Sequence, residues 1–202
     1  MANSNQNGRS RGEPLLAAVY GEVEGIKGNV VLLRVADFVF EIHCDSKTAQ
    51  SLKAGERVRL HTHLEFNQDG FTLYGFLEEE KLEVFEKITR VSKVGHRTAL
   101  KILSSVEPDE FVYMIKSSDI ERLSQVPGVG RKTAERLVSE LKDDEFSVAF
   151  ALNREYLDAV EALTVLGFPR SEARDAVRKV FKPSMSAEQI VKEALRLLAK
   201  KV

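Results

Sequence analysis

Between residues 19 and 76 polar and apolar positions alternate in short runs, at 19–23, 29–35, 38–43, 57–64 and 71–76. A period of two is that of a strand with one buried face. Turn formers separate the runs at Lys27-Gly28-Asn29, Ala36-Asp37, Lys53-Ala54-Gly55-Glu56 and Asn67-Gln68-Asp69-Gly70. The last of these reads as a hairpin tip, because Asp-Gly supplies the positive φ angles of a tight turn. Several short strands so closely spaced predict a small antiparallel barrel. After Glu78-Glu79-Glu80 the period lengthens to that of a helix, with apolar residues at Leu82, Phe85, Ile88 and Val91, then Ala99, Ile102 and Leu103. Further helices are expected over 108–115, 118–125 and 132–141, with breaks at Val94-Gly95 and at Pro127-Gly128-Val129-Gly130. A final helical unit is expected over 156–166, 171–181 and 186–200, turning at Gly167-Phe168-Pro169, with Ser171 and Ser186 as helix caps.

These patterns predict an α+β multidomain chain: a disordered extension at 1–18, a barrel at 19–80, an all-helical domain at 81–142, a flexible linker at 143–153 and a three-helix domain at 154–202. Three small modules suit a chain of 202 residues. No apolar run approaches the roughly 20 residues that cross a bilayer. The start, Met1-Ala2-Asn3-Ser4-Asn5-Gln6-Asn7, is too polar for a signal peptide, so a cytoplasmic protein without membrane contact is expected. The single cysteine, Cys44, excludes an internal disulfide and any multi-cysteine metal site, and reads as a small buried hydrophobe. His43, His61 and His63 fall on strands without clustered carboxylates at metal-ligand spacing, and no metal is expected.

The formal net charge of −1 conceals an asymmetry. Residues 19–86 carry 7 basic against 13 acidic side chains, a balance of −6, whereas residues 87–142 carry 11 against 7, a balance of +4. A phosphate-binding surface beside a phosphate-repelling one is the arrangement this suggests.

The strongest motif lies in the basic segment. In Val126-Pro127-Gly128-Val129-Gly130-Arg131-Lys132-Thr133-Ala134-Glu135-Arg136-Leu137 a Gly-x-Gly hairpin opens into a basic helix. Two glycines permit positive φ and leave a surface without side chains, so a phosphate reaches unpaired N–H groups at the positive end of the helix dipole. Gly128, Val129, Gly130, Arg131, Lys132, Thr133 and Arg136 are the candidate contacts. An earlier copy, Lys93-Val94-Gly95-His96-Arg97-Thr98-Ala99, aligns with Gly128-Val129-Gly130-Arg131-Lys132-Thr133-Ala134. Here Lys93 replaces the first glycine, which strains the turn if positive φ is needed but adds a cation. Lys93, Val94, Gly95, His96, Arg97 and Lys101 are its candidate contacts. Binding through such hairpins grips phosphates rather than bases, and is therefore sequence-independent and salt-sensitive.

A barrel, two helix-hairpin-helix motifs, a linker and a three-helix tail together resemble the RuvA family, the DNA-binding subunits of the bacterial Holliday junction branch-migration complex. The supporting residues are Tyr20-Gly21 and Gly25, Leu73-Tyr74-Gly75-Phe76, Phe85, the hairpin from Pro127 to Leu137, and Glu140-Leu141-Lys142-Asp143. The resemblance implies an OB-fold barrel, a tandem helix-hairpin-helix domain and a mobile UBA-like C-terminal domain. It further implies a homotetramer, in some assemblies an octamer, that holds a four-way DNA junction in recombination, repair and the SOS response. The tail would recruit the RuvB ATPase motor, which uses the ATP, and the RuvC resolvase is a further partner. An acidic pin at the barrel hairpin maps to Gln68 and Asp69, where the family usually has two acids. Leu166, Gly167 and Phe168 are carried over as motor contacts.

Two other readings fit parts of the chain. Helix-hairpin-helix glycosylases carry a catalytic Asp downstream of the hairpin, where this chain reads Phe146-Ser147-Val148-Ala149-Phe150, and no Gly-Lys-Ser/Thr phosphate loop is present. A protein with no catalysis of its own and no cofactor is the expectation. A generic duplex-binding adaptor shares the hairpins but leaves the acidic barrel without a use.

Overall fold

The computed structural model describes residues 16–68, 70–146, 154–182 and 185–199. Among them, one compact unit runs to Arg90 and takes in Gly95–Ser104, while the second comprises Val91–Val94 and the chain from Ser105 onward.

In the first unit five strands, β1 (Ala18–Lys27), β2 (Val30–Val35), β3 (Phe38–Cys44), β4 (Arg57–Asn67) and β5 (Gly70–Phe76), close into a barrel in the order β1-β2-β3-β5-β4. All neighbours are antiparallel except β3 and β5, which run parallel. This is the OB-fold that the resemblance implies. Alternation works as expected: Val31 and Leu33, Ile42 and Cys44, Val58 and Leu60 point inward and are buried. Two glycines allow the closure. A Cβ on Gly21 would lie 2.3 Å from the Arg34 carbonyl oxygen, and one on Gly75 would lie 2.5 Å from Ile42 Cγ2. The ordered barrel begins before the expected boundary at 19: the Thr62 hydroxyl donates to the Leu16 carbonyl at 2.6 Å and Thr62 N–H to the Ala17 carbonyl at 3.0 Å. The rest of the expected extension, 1–15, and most of the expected linker, 147–153, lie outside the described residues.

A short helix not foreseen in the sequence, α1 (Ser46–Ser51), follows β3. Asp45 caps it, accepting from the Lys47 and Thr48 N–H groups and, at 2.6 Å, from the Thr48 hydroxyl. Its carboxylate also meets Lys81 Nζ at 2.9 Å, with Asp45 fully buried and Lys81 nearly so. Lys81 comes from α2 (Glu79–Arg90), which packs on β4 and β5, so the buried pair ties helix to barrel. Burial pushes the Cys44 thiol up to about 12, and the neighbouring Asp45 carboxylate adds to the shift; the buried-hydrophobe reading of this cysteine holds. Helix α3 (His96–Ser105) follows the first hairpin turn and buries Ala99, Ile102 and Leu103.

In the second unit α4 (Pro108–Lys116), α5 (Ile120–Gln125) and α6 (Arg131–Leu141) pack together around Phe111, Ile115, Leu123, Ala134 and Leu137. Helix α5 starts later than expected. Ser118 takes a positive φ of 57°, and Asp119 caps the helix through Arg122 N–H. The last helices, α7 (Arg154–Val165), α8 (Arg170–Val180) and α9 (Ala187–Ala199), enclose Tyr156, Leu163, Val177, Ile190 and Leu198. Ser186 caps α9 as expected, accepting from Gln189 N–H at 3.4 Å. Helix α8 begins at Arg170, one residue earlier than expected, with Pro169 at the cap position, because proline presets the entry conformation. An ion pair between Glu107 and Arg174 joins α4 to α8.

Candidate nucleic-acid interface

The two hairpins named in the sequence share one backbone design. In the second, Val129 N–H bonds to the Val126 carbonyl at 2.9 Å, and Thr133 and Ala134 N–H both bond to the Gly130 carbonyl at 2.9 Å. In the first, Val94 bonds to Val91 at 3.0 Å, and Thr98 and Ala99 bond to Gly95 at 2.9 and 3.0 Å. The valines at both ends of each turn, Val91 with Val94 and Val126 with Val129, are buried and hold the turn against its core. The first N–H groups of a helix have no intrahelical acceptor, and Gly130 caps α6 without a side chain to satisfy them. An anion is the natural complement of such a terminus.

The glycines of the second turn do different work. Gly128 has φ +87°, a conformation that favours glycine. Gly130 has φ −84° and ψ 166°, and a Cβ added there would meet nothing within 4 Å. Folding therefore needs a glycine at 128 but not at 130, where the bare surface matters only to something approaching from outside. Gly95, at the matching place in the first turn, is equally open. Lys93 stands where Gly128 does and adopts φ +63°, so the strain foreseen for this residue is present. Lys93→Gly is expected to stabilise the protein by about 1 kcal/mol in thermal unfolding. The same variant should lower the slope of log affinity for DNA against log salt by about one, through loss of the cation.

The remaining candidates divide by their partners. Lys93, Arg97, Lys101, Arg131 and Lys132 are exposed, and Arg131 pairs with Glu135 at 3.3 Å in solvent. Val94 and Val129 can offer only backbone, since their side chains are buried, and Thr133 is half-buried. Arg136 reaches the Ser92 carbonyl at 3.0 Å, while Glu140 accepts from Ser92 N–H at 3.2 Å, so two residues of α6 brace the first turn. His96 turns inward. Its Nδ1 lies 2.8 Å from Glu65 Oε1 and its ring stacks on Tyr74 with centroids 5.3 Å apart, so its side chain is half-buried against the barrel.

At the barrel hairpin β4 and β5 pair as far as Asn67 with Gly70, and Gln68 is exposed in the turn. Asp69 lies outside the described residues. Glu65, on β4 behind this tip, accepts from the Tyr74 hydroxyl at 3.2 Å through its second oxygen. Sequence reasoning missed the exposed Phe66 and Phe71, which face each other across the two strands just behind the turn; their places in the alternation carried the signal. In the C-terminal unit Leu166 is 60% exposed and Gly167 has φ +96°, whereas Phe168 packs against the three-helix core. Val165, 82% exposed, extends that apolar tip and was also missed. Among the described residues no group of His, Cys, Asp or Glu is placed to hold a metal ion, and no helix is long and apolar enough to cross a membrane.

Comparison with known proteins accounts for the three parts in turn. Residues 16–75 match the RuvA N terminal domain, residues 85–143 the SAM-like helix-hairpin-helix tandem, and residues 156–199 the RuvA C-terminal domain. The Holliday junction branch migration complex subunit RuvA of Thermotoga maritima is 44% identical over 186 residues, covering 92% of this chain and 99% of the relative. The protein of the same name from Thermosipho africanus is 40% identical over 189 residues, 92% of this chain and all of the relative, and that from Helicobacter acinonychis is 35% identical over 188 residues, 91% and 99%. With an OB-fold barrel, paired hairpins of one design and relatives that match from end to end, the chain belongs to the RuvA family.

Proposed function

We propose that this protein is the DNA-binding subunit of a branch-migration complex, which grips the backbone of a four-way junction without reading its sequence. The observation that carries the reading is the shared hairpin design: two turns with the same hydrogen bonds, each ending in an open glycine at a helix start flanked by exposed Lys or Arg. Lys93, Gly95, Arg97 and Lys101 serve the first site, with Gly128, Gly130, Arg131, Lys132 and the N–H groups that open α6 serving the second. The names of the relatives support the same substrate and the same complex.

The division of the chain follows from this reading. Residues 19–86, the barrel with most of α2, carry a balance of −6 and face the crossover, where negative charge disfavours an unbroken duplex, and Asp69 with Gln68 forms the tip. Copies of the chain assemble as a tetramer so that each arm of the junction meets equivalent hairpins, and a second tetramer gives an octamer. The apolar tip at Leu166 and Gly167 engages the RuvB motor, with Phe168 holding the loop from below, and the RuvC resolvase shares the platform. The subunit itself performs no chemistry and holds no cofactor; ATP is consumed by the motor, in the cytoplasm. Asp69→Asn is expected to raise affinity for linear duplex relative to junction when both are titrated at one salt concentration. An unchanged ratio would reduce the tip to a turn.

A further inference from the structure

A cluster of titratable groups in the first unit is centred on Glu65 and His96. Glu65 on β4 bridges two partners, His96 Nδ1 at 2.8 Å and the Tyr74 hydroxyl at 3.2 Å. His96 is the first residue of α3. The carboxylate is thus held beside the start of the helix that the first hairpin offers to phosphate. Around the imidazole stand Tyr74 of β5, stacked upon it, Phe85 of α2 at 5.8 Å between centroids, and His63 of β4 at 5.3 Å, which in turn meets Glu86 of α2 at 3.0 Å. Arg97, the next residue of α3, acts on Tyr74. At the second hairpin Arg131 stands where His96 does, exposed and paired with Glu135 at 3.3 Å.

We propose that Glu65 and His96 together set the phosphate affinity of the first hairpin, the carboxylate opposing a bound phosphate until the imidazole takes up a proton. The proposal rests on reading that hairpin as a phosphate site. With His96 neutral, its Nδ1–H donates to Glu65 and the pair carries one negative charge close to the helix start. With His96 protonated, the pair is neutral. Burial holds His96 below the usual histidine range; Glu65 works against that shift and His63 adds to it. A phosphate beside the helix start favours the imidazolium, so the histidine binds its proton more tightly in the complex than in the free protein. Proton uptake then accompanies binding, and affinity rises as pH falls.

The test is a titration of a labelled four-way junction by fluorescence anisotropy at constant ionic strength, from about pH 8.5 to about pH 5.5, where histidine changes charge. The parent protein should tighten by about three- to fivefold on acidification, the size of one partly exposed charge interaction. Glu65→Gln keeps a hydrogen bond to each partner, its carbonyl accepting from His96 and its amide N–H donating to the Tyr74 oxygen, but removes the charge. It should bind about threefold more tightly than the parent at the alkaline end, and the two should converge at the acid end. His96→Asn keeps a donor to Glu65 and should flatten the profile. A Glu65→Gln protein weaker than the parent by one factor at every pH would make the pair purely structural and overturn the proposal, as would a flat parent profile with binding intact. A parent that fails to bind the junction at any pH would instead contradict the function proposed above.

Discussion

Gly130→Leu is expected to leave the fold standing while lowering junction affinity by about ten- to a hundredfold, because a hydrogen bond to a charged group contributes about 1.5–3 kcal/mol. The backbone at this position is extended, with φ −84° and ψ 166°, and the new side chain would enter open space. It would also cover the N–H groups that open α6. The helix has no side-chain cap to lose, and the poorer N-cap preference of leucine should cost about 1 kcal/mol, a fall of a few degrees in melting temperature. The comparison with Gly128→Leu separates the two roles: at φ +87° a side chain costs about 1–2 kcal/mol of stability, and its loss of DNA binding would be mixed with a distorted turn. Circular dichroism melting beside junction titration distinguishes them. A Gly130→Leu protein with parental affinity would remove the phosphate from this helix start.

Lys81→Met is expected to give the largest loss of stability, about 3–5 kcal/mol in urea unfolding, because it leaves a buried carboxylate without its counter-charge. Asp45 is fully buried, Lys81 Nζ is its cation at 2.9 Å, and three further donors come from Lys47 and Thr48. For a domain whose total stability is about 5–15 kcal/mol, such a loss is a large fraction. The double variant Asp45→Asn with Lys81→Met should recover more than half of it, since asparagine still caps α1 and no unpaired charge remains. Equal losses in the single and double variants would show that the pair does not matter as a pair.

Legibility in the sequence followed how local each signal was. The strands could be read because one face of each is buried, so that Val31, Leu33, Ile42 and Leu60 fall on a period of two. The helix α1 was invisible because Ser46-Lys47-Thr48-Ala49-Gln50-Ser51 is short and polar and buries only Thr48 and Ala49. Its one signal was Asp45 at the cap. The hairpins were legible because Pro127-Gly128-Val129-Gly130 demands a turn, and the strain at Lys93 followed from aligning it with Gly128. The inward turn of His96 was not legible, since Glu65 lies far from it in sequence and only the register of β4 and β5 brings Tyr74 beside both. Arg136 likewise looks like any exposed basic residue until the fold places the Ser92 carbonyl against it.

The most direct test of the account is competition at fixed physiological salt: labelled four-way junction bound to the protein and challenged with excess unlabelled linear duplex of the same arm sequences. Paired hairpins grip phosphate in either DNA, but the acidic stretch 19–86, the barrel with most of α2 at a balance of −6, favours only the open crossover. The junction complex is therefore expected to survive the challenge. Displacement of junction by duplex on equal terms would contradict junction selectivity, and would mean that with Gln68 in place of a second acid the tip no longer discriminates, leaving a duplex-binding adaptor as the better description.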